Sequence, residues 1–153
     1  MLAEPRPPPA VSCYQGFAPS ASPRIDVVRL GTACGPVSGL TELAKTSGRV
    51  DEAGRGPTLR WDADRGDCFR LFAVAAEPVE ALKVDVKSAV STSSLHADAR
   101  RRWAVLGEDG PFCAGRAGHF EASFTTHAGS GELFAAVWRG ARMLPRHPPT
   151  ASP

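Results

Sequence analysis

Between Asp67 and Arg139 the apolar residues come in short runs that alternate with polar ones, and this period of two limits what the chain can fold into. Leu82, Val84 and Val86 take turns with Lys83, Asp85 and Lys87, and Phe120, Ala122 and Phe124 take turns with His119, Glu121 and Ser123. Successive side chains of a strand point to opposite faces, so each run predicts a strand with one buried and one wet face. Cys68-Phe-Arg-Leu-Phe-Ala-Val74 is different. It is apolar on both faces near Phe72 and Val74, which predicts a central strand covered on both sides or one whose far face meets a loop. Leu133-Phe-Ala-Ala-Val-Trp138 and Trp103-Ala-Val-Leu106 add two further short strands.

Outside these runs the signals are local. Ile25-Asp-Val-Val-Arg-Leu30 reads as a short strand because of its β-branched residues, and Thr41 to Val50 reads as another, since Gly48 and the Thr-Ser content favour extended chain although Leu40, Leu43 and Ala44 also fit helical spacing. Thr58-Leu-Arg-Trp61 starts a strand that the turn Asp62-Ala-Asp-Arg-Gly-Asp67 would fold into a hairpin with the Cys68 strand. The turn Thr126-His-Ala-Gly-Ser-Gly131 would do the same for the Phe120 and Leu133 strands. Residues 88 to 99 are small and polar, as in an edge strand with a loop. Eight of the 14 prolines lie at the two ends, in Glu4-Pro-Arg-Pro-Pro-Pro9 and after Leu144. The expectation is an all-β chain, a two-sheet antiparallel β-sandwich of jelly-roll-like form. A single domain over 13–143 lies between Pro-rich disordered tails at 1–12 and 144–153.

Charge excludes one class of function. The chain has 18 basic and 16 acidic residues, and splitting it after Ala76 leaves nine basic and eight acidic residues in each half. Nucleic-acid binders concentrate Lys and Arg on one face, whereas the only cluster here is Arg100-Arg-Arg102, which reads as a solvated edge. No nucleic-acid partner is expected, and no run is long and apolar enough to form a transmembrane segment.

Four cysteines permit two disulfides in three connectivities. Cys13, Cys34, Cys68 and Cys113 stand too far apart in sequence to form the paired knuckles of a structural zinc site, so no metal is expected. Cys68 begins a strand beside Phe69 and Phe72, and Cys113 follows Phe112 just ahead of Phe120. Both sulfurs should therefore enter one apolar layer and pair across neighbouring strands. Cys13 and Cys34 are left to each other and would fasten the irregular lead-in that carries Tyr14 and Phe17. Disulfides need an oxidising compartment, which points to the periplasm or the exterior. The first nine residues nevertheless lack the apolar core of a signal peptide, although Ala10-Val-Ser-Cys13 has the small-residue look of a lipoprotein cleavage box.

Catalytic patterns are missing. His96, His119, His127 and His147 form no metal-binding pair, and no Gly-x-Ser-x-Gly elbow occurs. Asp62, Asp64 and Asp67 read as turn acceptors more readily than as a calcium loop, which would need a correctly placed glycine and a terminal acid. Cys113 and His119 are the nearest thiol and imidazole in sequence, and bridging explains the cysteine better. Among the tryptophans, Trp138 reads as core. Trp61 and Trp103, flanked by Arg or Asp, are the candidate ligand-binding residues, as rings at strand edges that could stack on a sugar.

Gly66-Asp-Cys-Phe-Arg-Leu-Phe-Ala-Val74, Ala81-Leu-Lys-Val-Asp-Val86, Gly110-Pro-Phe-Cys113, Ala117-Gly-His-Phe120 and Gly131-Glu-Leu-Phe-Ala-Ala-Val-Trp138 together resemble the bacterial pre-peptidase C-terminal domain. The likeness spans about residues 40 to 140, with Ser88 to Ser94 standing where that family has an Asp-x-x-Gly turn. It implies a sandwich module of exported proteins and lipoproteins that has no catalytic residues and no cofactor. Such a module would be monomeric and would act on an unknown protein or glycan at the cell envelope. The alternatives are a carbohydrate-binding module using Trp61 or Trp103, and a small hydrolase with an unrecognised site.

Overall fold

The computed structural model describes residues 16–34, 40–88, 91–98, 101–106 and 112–140. The strands are β1 (Thr41–Val50), β2 (Arg55–Ala63), β3 (Cys68–Ala75), β4 (Glu80–Ser88), β5 (Ser91–Asp98), β6 (Trp103–Leu106), β7 (Phe112–Cys113), β8 (Gly118–Ala128) and β9 (Gly131–Gly140). They form two antiparallel sheets, one ordered β1-β9-β3-β6 with β7 also on β3, the other ordered β2-β8-β4-β5. The connectivity is that of one long ribbon folded over. β4 and β5 form its tip, β3 and β6, then β2 and β8, then β1 and β9 are its successive rungs, and rolling the ribbon brings β9 against β3 and β8 against β4. That rolled ribbon is a jelly roll, and the chain is the two-sheet sandwich its periodicity implied.

Two sequence expectations about pairing do not hold. β8 and β9 follow each other in the chain but lie in different sheets, and so do β2 and β3, so neither pair is a hairpin. Both turns instead carry the chain across the sandwich. At the first, Gly66 takes φ +88° and its N–H donates to the Ala114 carbonyl. At the second, Gly129 takes φ +88°, and a Cβ there would stand 1.8 Å from the Pro78 carbonyl oxygen, so only glycine fits.

A third expectation fails at residues 25–30, which are helical. The helix α1 covers Pro23–Cys34. Ser22 caps it, with its Oγ accepting from the Ile25 N–H at 3.4 Å, and Pro23 takes the first-turn position where a missing N–H costs nothing. The buried residues Pro23, Asp26, Val27, Leu30 and Gly31 recur at helical spacing. The β-branched residues that suggested a strand are divided between the two sides of this helix: Val27 is buried, while Ile25 and Val28 are exposed. Asp26 is fully buried, and its carboxylate is satisfied by the Ser20 N–H, the Ser20 hydroxyl and Arg29 at 2.7–2.9 Å.

The main core lies between the sheets and includes Phe69, Leu71, Leu82, Val84, Phe124, Leu133 and Val137. A second core lies outside the β1-β9-β3-β6 sheet, where Val27 and Leu30 of α1 cover Phe72, Val74, Trp103, Val105 and Ala136. The strand that read as apolar on both faces is therefore covered on both faces, with α1 as its outer layer. Phe17 of the lead-in packs edge-on against Trp103, their ring centres 4.9 Å apart. The basic cluster has a structural use here: Arg102 donates to the Ala75 and Ser20 carbonyls at 2.9 Å, and Arg101 lies over the Trp103 ring.

Cys68 and Cys113 are in register on β3 and β7 and form the expected disulfide. For a sequence separation of 45, the chain-entropy model assigns the bridge about 4 kcal/mol. Its setting differs from the expectation, since Cys68 is buried but Cys113 is exposed, so the bridge sits at the margin of the core. The tails, Tyr14 and the partner side of a 13–34 bridge lie outside the described residues.

Candidate functional site

Among the described residues, no helix lies over the outer face of the β2-β8-β4-β5 sheet. Alternation along β2 turns Leu59, Trp61 and Ala63 inward and Arg60 and Asp62 outward. The register with β8 sets Arg60 opposite Glu121 and Asp62 opposite His119, and the register of β4 with β8 sets Lys87 on the other side of Glu121. Arg60 Nε donates to Glu121 Oε2 at 2.7 Å, and Asp62 Oδ1 meets His119 Nδ1. All four of these side chains are well exposed, so the pairs add little stability; what they supply is a close array of donors and acceptors.

Two hollows flank this array. One, of about 560 Å³, is bounded by Lys87, Ser88, His119 and Phe120 on the open face. The other, of about 350 Å³, lies around the edge of β2 and is bounded by Leu43, Ala44, Asp64 and Arg139. Arg60, Trp61 and Asp62 belong to the walls of both.

The structure places Trp61 in the core between the sheets and Trp103 in the outer core beneath α1, and does not bring them together. Neither ring stands exposed at a strand edge, for Trp61 is 5% and Trp103 6% accessible. Trp103 lies under Phe17 and Arg101 in the outer core. Trp61 is stacked on Phe120 at 5.7 Å and set edge-on to Phe69 at 5.9 Å. Flanking charges misled here, because in a strand the neighbours of an inward ring point outward. Trp138, read as core, is only half-buried. Trp61 keeps one polar feature: its indole Nε1 is buried with no hydrogen-bond partner, which costs about 1–3 kcal/mol for an unsatisfied donor.

Other candidates are used up locally. Cys113 is in the disulfide and has no thiol to pair with His119, whose Nδ1 meets Asp62. Asp67 is buried and accepts from the Asp64 N–H at 2.8 Å, closing the turn into β3. Among the described residues no group of three or more His, Cys, Asp or Glu side chains is placed to hold a metal ion. Sequence reasoning did not find the Arg60, Asp62, Lys87, His119 and Glu121 array, because those residues become neighbours only through the registers of three strands.

No protein-family model matches the chain, and no curated protein matches it. Among solved structures it is similar to Drosophila NLP-core, whose structure is described as providing insight into pentamer formation and histone binding. The match has a TM-score of 0.39 and 14% identity, and covers 65% of this chain and 100% of that one. A likeness of that size carries no functional reading across.

Proposed function

We propose that this chain is a non-catalytic binding module that works in an oxidising compartment, periplasmic or extracellular, and engages a protein or glycan at the cell envelope. The observation that supports it is the difference between the two outer faces. One sheet is sealed by α1, while the other leaves Arg60, Asp62, Lys87, His119 and Glu121 together beside a hollow. The Cys68–Cys113 bridge fits an oxidising compartment. No helix among the described residues is long and apolar enough to cross a membrane. The pre-peptidase C-terminal modules remain the family whose role this reading adopts.

Co-sedimentation with isolated bacterial envelope fragments tests it. The purified protein should pellet with the fragments. Arg60→Ala combined with His119→Ala should release it, while Ile25→Ser, on the exposed side of α1, should not. A protein that stays in the supernatant, or one whose retention depends on Ile25 and not on Arg60 and His119, would overturn the proposal.

A further inference from the structure

We infer that the two hollows meeting along Arg60, Trp61 and Asp62 form one groove for a neutral, hydroxyl-rich ligand, an oligosaccharide. This rests on the binding-module reading and names its ligand. Trp61 takes part through its nitrogen and not as an exposed ring.

Three observations support it. First, Trp61 is nineteen-twentieths buried, yet its Nε1 has no partner and the residue lines both hollows. Trp138 also has an unpartnered Nε1, but there α1 lies directly on the indole: a Cβ on Gly31 would stand 2.9 Å from that nitrogen. Trp61, unlike Trp138, is a residue that lines the two hollows. Second, the groove offers donors and acceptors side by side. Arg60 uses Nε on Glu121, and His119 uses Nδ1 on Asp62, which leaves the terminal guanidinium nitrogens, His119 Nε2 and a second oxygen on each carboxylate. A sugar hydroxyl both donates and accepts, so vicinal hydroxyls match such alternating groups. Third, the charges decide between neutral and ionic ligands. In the larger hollow Arg60 and Lys87 are matched by Asp62 and Glu121, and the smaller adds Arg139 against Asp64 and Asp67. Asp67 is buried in the turn into β3, so three cations face three carboxylates, a balance that suits a neutral ligand better than an anion or a cation. The hollows, at about 560 and 350 Å³, are of ordinary ligand-site size.

The indole N–H resonances of ¹⁵N-labelled protein read the groove directly. Trp61→Phe assigns the Trp61 signal, and titrations use cellohexaose, xylohexaose, mannohexaose and chitohexaose, with oligogalacturonate and oligolysine as charged probes. One neutral oligosaccharide should move the Trp61 signal to saturation, with a Kd of about 1 mM or tighter, and leave the Trp138 signal in place. Arg60→Ala and His119→Ala, both on exposed side chains, should each weaken that binding about tenfold with the other indole signals unchanged. If Trp61→Phe fails to fold, these two variants identify the signal by its loss of response. The inference is overturned if no neutral oligosaccharide in the panel moves the Trp61 signal, if only oligogalacturonate or only oligolysine does, or if the Trp138 signal moves instead. Envelope co-sedimentation that survives such a result would leave the binding-module reading standing and remove the saccharide alone.

Discussion

The two sheets share one core but present opposite outer faces. On β3, Phe72 and Val74 point away from the sandwich and are fully buried because α1 lies over them. On β4, Lys83 and Lys87 point away from it and are exposed, while Leu82, Val84 and Val86 fill the core. A strand with apolar residues on both faces requires a second covering layer, since leaving a large apolar side chain in water forfeits about 1.5–3 kcal/mol. An alternating strand has no such requirement, and its outer face stays free for binding. The apolar outer face of β3 thus implied a covering layer, and the structure supplies it as the helix at 23–34.

The largest test of this contrast is Phe72→Ala, which removes a side chain held between β3 and α1. Urea unfolding should show a loss of about 3–5 kcal/mol, against a change within about 0.5 kcal/mol for Lys83→Ala on the open face. Equal, small losses at both positions would mean that α1 is not a structural layer.

A smaller effect is expected at Gly31, where the backbone of α1 lies on the Trp138 indole and a Cβ would come within 2.5 Å of Trp138 Cζ2. Gly31→Ala improves helix propensity by about 1 kcal/mol but overpacks this contact at about 1–3 kcal/mol. It should therefore be destabilising in the parent protein. In a Trp138→Phe background, where the crowding atoms are gone, the same change should become neutral or stabilising. A helix held loosely against the sheet would instead gain from Gly31→Ala in both backgrounds.

The smallest effect belongs to the open face. A double-mutant cycle on Arg60 and Glu121, 74% and 44% exposed, should return a coupling of only about 0.2–1 kcal/mol that fades with added salt. A coupling of several kcal/mol would make this pair a structural device and weaken the case for its role in binding.

Much of the strand content was legible because burial imposes a period on the sequence. The runs at Leu82, Trp103, Phe120 and Leu133 became β4, β6, β8 and β9, and the uncertain stretch 41–50 became β1. The Cys68–Cys113 pairing was legible too, because both cysteines adjoin aromatic core positions on short runs. The sandwich class, its strands and this disulfide were thus determined by the sequence alone, since each depends on local pattern. Only the tertiary structure decided which strands pair. Period two states that a residue faces inward but does not name its neighbour, so β8 and β9 looked like a hairpin while they belong to opposite sheets. The same limit hid the helix, whose apolar side is set by the outer face of β3, and inverted the tryptophans, burying Trp61 and Trp103 more deeply than Trp138. It also hid the candidate groove, because Arg60, Lys87 and Glu121 lie on three strands and meet only through registers set by long-range pairing.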